Sequence, residues 1–481
     1  MQVKILEDHQ IDKIHTNSLK ILEKIGVFVP HEEILSRFID YGAKKEKNSS
    51  IVKIPSEIVM ELVSKAGKQF TLYGRDVSKK AEFGIGKQNY NSSAGQSFFI
   101  ENGGKTRRHT TLKDVETAVR LADALDQINI PGAMSDPLEV PVEWRSLQVA
   151  LEMVKNTDKP ITFWFYDRLS AKYLVDFLVS LRGSEKEAQK YPLFYPLFEP
   201  VSPLSFPFNG IDLLFETARL NLPVHIGPMA QMGVSAPATI VGTMAQENAE
   251  ILAAVCITQL IKEGMSVCYG GICHAFDMRT AQIIFGGPEQ TIFSVAMCEM
   301  GKSYGFPVYI NAGLTDSKKP DAQAGIETGI TLSMGIASGA DIFGHMGICG
   351  MDQGTSLENL VMQSEIISYI ESTNRTLNFD EDDFAFDVIS ETGPKGSFLN
   401  KRHTAKNVRR ALWIPNILDR NSFDKWVKKG AKSMEDRCRL IKEEILANHE
   451  PVPLPDDIKN DLERVIDRAK KSFTKESYKM S

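Results

Sequence analysis

The chain has 481 residues, 42% hydrophobic and 25% charged, with a formal net charge of −6. That composition is globular and excludes a disordered or fibrous chain, while the acidic balance excludes a general nucleic-acid binder, which carries a basic excess. Six cysteines in this length are too sparse for a disulfide scaffold.

The predicted elements begin with a helical and β extension over residues 1–87. Ile5, Ile11, Ile14, Leu19, Leu22 and Ile25 fall at helical spacing. A second helix is expected through Glu33–Tyr41 after Pro30, a third over Ile58–Ala66 after Pro55, and an extended run at Gln69–Tyr73. From 88 to 373 short β-rich runs alternate with amphipathic helices. The runs are Tyr90–Phe99, Ile128–Met134, Pro160–Tyr166, Leu193–Glu199, Pro223–Met229, Ser266–Cys273, Pro307–Asn311 and Ala340–His345. Helices are predicted at Asp114–Leu125, Trp144–Lys155, Ala171–Leu181, Gly210–Leu220, Ile240–Lys262, Glu289–Tyr304, Ala322–Ile336 and Leu357–Tyr369. Such alternation implies parallel strands with crossover helices, and eight units favour a closed TIM-type (β/α)8 barrel over an open sheet. Residues 374–481 read as a charged helical extension: an acidic loop at Asp380–Asp383, a basic stretch at Lys401–Arg410, an amphipathic run at Ser422–Ile445 and a last helix at Asp456–Lys471. Met1–Gln10 lacks an apolar leader, and the most apolar run, near Ile251–Ile261, is shorter than a membrane span and flanked by Glu250 and Lys262. The expectation is a cytoplasmic protein without a membrane segment.

In barrels the active site lies at the C-terminal ends of the strands. Those ends carry Ser135–Asp136, Phe165–Tyr166–Asp167, Phe198–Glu199, Met229–Gln231, Cys273–His274, Asn311–Thr315 and His345–Met346. No lysine occurs there, so a Schiff-base or pyridoxal enzyme lacks its nucleophile. Neither a G-x-x-x-x-G-K-[ST] loop nor a G-x-G-x-x-G turn is present, which removes P-loop and dinucleotide chemistry. Cys268, Cys273, His274, His345 and Cys349 contain zinc-type ligands, but buried cysteines in a strand are the commoner reading and no metal is expected. Aromatics crowd the strands: Phe163 to Tyr166, Phe194, Tyr195, Phe198, Tyr269, Tyr309 and Phe343. Packing explains most of them. Converging on a mouth with Glu199, Gln231 and Glu247, some would also form a cage for an organic cation.

Four long runs carry a family resemblance: PGAMSDP (Pro131–Pro137), GTMAQENAEILAA (Gly242–Ala254), NAGLTDSKKPDAQAG (Asn311–Gly325) and GADIFGHMGICGMDQGTSLENLV (Gly339–Val361). They resemble the trimethylamine methyltransferase family, and within it the branch without pyrrolysine, the glycine betaine:corrinoid methyltransferases. The resemblance spans most of the chain and implies a TIM barrel. It also implies methyl transfer from a quaternary ammonium to Co(I) of a corrinoid, held not by this chain but by a cognate corrinoid protein. Every position here is a standard residue, which favours a quaternary amine over trimethylamine. A quaternary nitrogen leaves as a neutral amine without protonation and has no lone pair for a Lewis acid. The enzyme therefore has to hold the cation, aim one methyl outward and exclude water.

On that reading Phe165, Tyr166, Phe198 and Tyr269 would enclose the trimethylammonium head. Glu199 and Glu247 would supply negative potential, with a helix-surface or capping role equally open for Glu247. His345 would bind the substrate carboxylate with Gln231 or Asn311, and His345 and Glu247 are the candidate catalytic groups. Asp316 and Asp352 would order loops, and Asp321 would cap a helix. A homo-oligomer is expected. Proline betaine, carnitine, a betaine-binding protein without turnover and a zinc-dependent methyltransferase are the alternatives.

Overall fold

The computed structural model describes residues 3–475. At its centre is a parallel sheet of six strands, in the order Asn89–Ser92, Ile342–Met346, Val308–Ile310, Val267–Gly271, Val224–Ile226, Leu197–Phe198. Tyr309 pairs with Ile342, Tyr269 with Val308, and Ile226 with both Tyr269 and Phe198. The sheet curls, and contacts run on from both of its edges. Asn91 bridges Ile130, Gly132 bridges Thr162, both parallel, and the Ile161 amide donates to the Leu193 carbonyl.

The expected strands Ile128–Met134 and Pro160–Tyr166 are thus isolated bridges in an otherwise extended path. Pro131 and Pro160 have no N–H to give to a ladder, and Met134 sits at φ 54, which ends any strand geometry. The run Tyr90–Phe99 likewise splits. Its first half is the sheet strand, and after Gly95 its second half, Phe98–Glu101, forms a hairpin with Thr106–His109.

The eight crossover helices form where periodicity placed them: Leu112–Ala124, Val142–Asn156, Arg168–Arg182, Phe208–Thr217, Ile240–Ile261, Pro288–Ser303, Ala322–Ser338 and Leu357–Thr373. Caps fix their ends. Asp167 accepts from the Ser170 amide, Asp321 from that of Ala324 and Ser356 from that of Asn359, while Gly183 and Gly339 stop two helices in the left-handed conformation. The helix Ile240–Ile261 corrects one expectation. By length and composition it could cross a membrane, but 83% of its most apolar window is buried inside the protein. A helix apolar on every side is one packed on every side.

Both extensions join the central core. Ile14, Leu22, Ile34 and Phe38 from the first, and Leu462, Val465, Ile466 and Phe473 from the last helix, Asp456–Lys475, belong to one continuous apolar cluster with the crossover helices. The acidic stretch expected as a loop contains a short helix, Glu381–Phe384, and the run Ser422–Ile445 divides into Phe423–Lys428 and Met434–Asn448.

Alternation along the strands separates two faces. Phe194, Phe198, Val224, Ile226, Val267, Tyr269, Val308, Ile310 and Phe343 belong to the large cluster shared with the helices. Ile130, Tyr195, Leu197, Cys268, Tyr309 and Ile342 form a separate interior cluster. Which side chains line the site follows from this period of two.

Candidate active site

The strand registers stack the interior side chains in layers contributed by alternate strands, as expected of a curled parallel sheet. Ile130, Tyr195, Cys268 and Ile342 make an apolar plug. Directly above it lie Asn91, Thr162, His225 and Tyr309. All four are buried, and each has a polar atom with no partner in the chain: Asn91 Oδ1, Thr162 Oγ1, both ring nitrogens of His225 and the Tyr309 hydroxyl. Four orphaned groups in one layer are unusual, because stranding a buried polar group costs about 1–3 kcal/mol each. Two of the positions above them are glycines. A Cβ on Gly344 would lie 2.0 Å from Asn91 Oδ1 and 2.8 Å from the Tyr309 hydroxyl, and one on Gly270 would lie 3.0 Å from His225 Nε2. Glycine there leaves the polar layer as an uncovered floor.

The walls above the floor are different in charge. Glu199 is reachable by solvent yet surrounded by protein, a combination that an internal chamber open to solvent produces. Burial, reinforced by Asp352, pushes its carboxyl up to about 7. Burial also pushes Asp352 up to about 6, against a 2.7 Å hydrogen bond from Gln96 Nε2. Two carboxylates held near one another with raised pKa values are poised for a cation. Trp164 packs against the interior cluster, and its Nε1 donates to the Gly95 carbonyl at 2.9 Å.

The histidines are neutral. Burial holds His345 down at about 4, and burial followed by the influence of His345 holds His225 at about 3. Asn91 Nδ2 lies 3.3 Å from His345 Nδ1 and 3.1 Å from the Ser92 carbonyl. An amide nitrogen only donates, so Nδ1 is the acceptor and the single ring proton sits on Nε2. His345 and His225 both approach the Tyr309 ring, at centroid distances of 5.6 and 4.4 Å. Tyr309, His225 and His345 therefore offer uncharged donors at the bottom of the chamber.

The predicted cage is not assembled. Phe165 stacks on Phe163 at 5.2 Å and meets Phe194 edge-on, on the helix-facing side. Phe198 packs on Phe206 and beside Gly210 of the helix Phe208–Thr217. Tyr269 reaches into the helix layer, where its hydroxyl donates to Asn248 Oδ1 at 2.8 Å. The register is one residue away from the one a cage requires, which turns all three outward. Tyr166 has the opposite orientation, donating to Asp136 Oδ1 at 2.6 Å, with Arg145 over its ring at 5.9 Å and paired to Asp136 at 3.2 Å.

Glu247 is fully buried, and both oxygens are taken by backbone. Oε1 accepts from the Ile272 and Cys273 amides at 2.6 and 2.7 Å, and Oε2 from Ala230 at 3.2 Å. It fixes two neighbouring strand ends and is a positioning residue, not the capping or surface group its helix suggested. Gln231 is half-buried at the start of a short strand paired with His274–Asp277. Asn311 Nδ2 lies 3.1 Å from His274 Nε2 and its Oδ1 is a buried acceptor without a partner, the wrong polarity for a carboxylate. Asp316 accepts from the Phe285 amide and Asp321 caps its helix, as expected.

Two small sheets roof the mouth. One joins Gln231–Met232 to the hairpin His274–Asp277 and Gln282–Ile284; the other joins Ile348–Cys349 and Gly354–Thr355 to the hairpin Phe98–Glu101 and Thr106–His109. Gln353 Nε2 ties them together through Gln282 Oε1 at 2.9 Å. Among the described residues no group of three or more His, Cys, Asp or Glu is arranged to hold a metal ion. Burial drives the thiols of Cys268 and Cys273 well above their ordinary value.

Fold and site together define a parallel α/β protein whose strand-end chamber has carboxylates on its wall and uncharged donors on its floor. The chain belongs to the trimethylamine methyltransferase (MTTB) family, whose profile matches residues 1–474, and is thus one of its methyltransferases. It is 32% identical to a glycine betaine methyltransferase of Desulfitobacterium hafniense strain Y51, covering 96% of both chains. It is 26% identical to a trimethylamine methyltransferase of D. hafniense DSM 10664, over 97% of this chain and 94% of the relative. It is 27% identical to one from Methanosarcina barkeri strain Fusaro, over 98% and 96%.

Proposed function

We propose that the protein transfers a methyl group from glycine betaine to the corrinoid of a separate carrier protein, leaving dimethylglycine, and that its eight strand–helix units form a (β/α)8 barrel. The observation that carries the substrate reading is the chamber's split polarity. Glu199 and Asp352 on the wall suit a quaternary ammonium. Tyr309, His225 and the Nε2–H of His345 on the floor suit a carboxylate. A small zwitterion satisfies both ends, and seated in this sense it points its methyl groups toward the mouth. The similarity to a glycine betaine methyltransferase agrees.

The chain's own residues fit an external methyl acceptor. No lysine lies at the strand ends, and the nearby thiols are buried and held protonated. A reduced corrinoid, when its carrier docks at the mouth, supplies the nucleophile. Glu199 and Asp352 hold the ammonium, the floor fixes the far end and so the direction of the methyl, and the neutral histidines add no charge to compete with the cation. The two roof sheets limit water. Since the departing amine is neutral, no general acid is required of the chamber.

The experiment is a mixture of the protein, a reduced corrinoid protein and a panel of amines, followed by the absorbance change of methyl-cobalt formation. Methylation by glycine betaine, with little from trimethylamine or choline, is expected. Transfer from trimethylamine in preference to every betaine, or binding of betaines without any transfer, contradicts the proposal.

A further inference from the structure

One acceptor inside the chamber has its direction dictated from the roof. Ile310 and Ala312 belong to the apolar cluster shared with the helices, and Tyr309 to the interior one. Asn311, between Ile310 and Ala312, therefore projects inward, one pleat nearer the mouth than Tyr309. It is buried, its backbone carbonyl accepts from Gln290 Nε2 at 3.0 Å, and its Oδ1 has no partner in the chain. A buried acceptor without a donor is one that a ligand can satisfy.

Which end of the Asn311 amide is left free is fixed two hydrogen bonds away. His274 is fully buried, with Nδ1 3.2 Å from the carbonyl of Ile284, in the roof hairpin, and its ring 4.6 Å from that of Phe285. A carbonyl only accepts, so Nδ1 carries the proton. Burial keeps the imidazole neutral, with its pKa down at about 4, so Nε2 presents a lone pair. Only the NH2 end of Asn311 can face that lone pair, at 3.1 Å, and Oδ1 is the end turned away from it.

We propose that Asn311 Oδ1 is an uncharged ligand of the substrate's N-methyl groups, and that His274 is the positioning residue that aims it. The inference rests on the betaine reading of the chamber and adds to it a specificity-determining residue without charge. A fixed carbonyl acceptor repels a carboxylate and gains little from a methyl group on neutral carbon. The methyl groups of a quaternary ammonium differ, because they share its positive charge and so donate C–H to a carbonyl oxygen. Spacing agrees. Two residues along a strand rise about 6.6 Å, so a betaine with its carboxylate on Tyr309 brings its cationic end up to the level of Asn311. Glu199 and Asp352 attract any cation, whereas the Asn311 contact depends on methyl groups placed at that level.

The probe is 3,3-dimethylbutanoate, which keeps the shape and carboxylate of glycine betaine with carbon in place of the charged nitrogen. Calorimetric titration of the full chain is expected to show betaine bound roughly 100-fold more tightly than this isostere. Asn311→Leu, close in volume, is expected to narrow that ratio about tenfold, by weakening betaine alone while the affinity for the isostere stays within twofold. Asn311→Ala serves for the same comparison should the leucine variant fail to fold. His274→Phe removes the lone pair and frees the amide to turn, and is expected to narrow the ratio about threefold. His274→Gln, whose side-chain carbonyl can accept from Asn311 Nδ2, is expected to restore it. Folded Asn311 variants that keep the wild-type ratio, or a His274→Phe loss that His274→Gln does not recover, overturn the proposal and leave the betaine site standing. A wild-type chain that binds the isostere as tightly as betaine overturns both.

Discussion

The strand Leu197–Phe198 and the residue after it contain the molecule's sharpest contrast. Phe198 enters the helix layer against Phe206, while Glu199, one position on, faces the chamber with its carboxyl raised to about 7. The same inversion separates Tyr269, hydrogen-bonded in the helix layer, from Gly270, which keeps the floor at His225 open. One side of each strand is packed and satisfied; the other is polar, under-satisfied and spacious. The packed face carries stability, and the proposed function puts ligand recognition on the second. The two faces of one strand should therefore respond separately to substitution.

Phe198→Ala tests the packed face and has the largest expected effect. Removing a buried aromatic costs about 3–5 kcal/mol, seen as a lowered melting temperature, while KM for the amine in the surviving folded protein stays within twofold. Glu199→Gln should do the reverse. It removes half of the anionic wall, and a loss of about 100-fold in kcat/KM is expected from about 2.7 kcal/mol of lost ion pairing. Its melting temperature at pH 8 should rise. The folded pKa of Glu199 is raised, so its stability contribution is complete below the unfolded carboxyl value, is lost as pH climbs through about 7, and is a liability above it. Tyr309→Phe removes one floor donor. An increase in KM of about 10-fold for glycine betaine follows from roughly 1.5 kcal/mol for a hydrogen bond to a charged group, with no change for a cation lacking the carboxylate. The smallest effect is that of pH itself. Betaine affinity should fall by up to about 10-fold from pH 8 to pH 6 as Glu199 and then Asp352 take up protons, and in E199Q most of that dependence should vanish. A Phe198 variant that alters KM, or a Tyr309 variant that melts early at unchanged KM, would erase the division between the faces.

Much of this was readable in the sequence. The crossover helices follow from apolar periodicity over ten or more residues, and the cap at Asp321 from the residue type itself. Glu199 and His345 are legible as strand-end residues, and the structure places them directly after Leu197–Phe198 and within Ile342–Met346. The cage failed for a single physical reason: in strands of two to five residues the period of two has no internal check on its phase, so Phe165, Phe198 and Tyr269 were set one residue out. His225 is hard to single out in the sequence because a lone histidine between Val224 and Ile226 looks like core. The signal was there in the alternation, which puts His225 on the face opposite its two apolar neighbours. Asp352 looks like a loop residue in the sequence because its partner Glu199 is distant along the chain, and Glu247 like a surface, capping or wall carboxylate because the three amides it gathers come from two different strand ends. Burial decides that second kind of role, and burial is a tertiary property.

A crystal structure of the protein with glycine betaine bound examines the central claim most directly. The trimethylammonium group is expected beside Glu199 and Asp352 with one methyl toward the mouth, and the carboxylate on Tyr309, His225 and His345 Nε2. A betaine bound the other way round, with its carboxylate at the mouth, or one bound outside the chamber altogether, would contradict it.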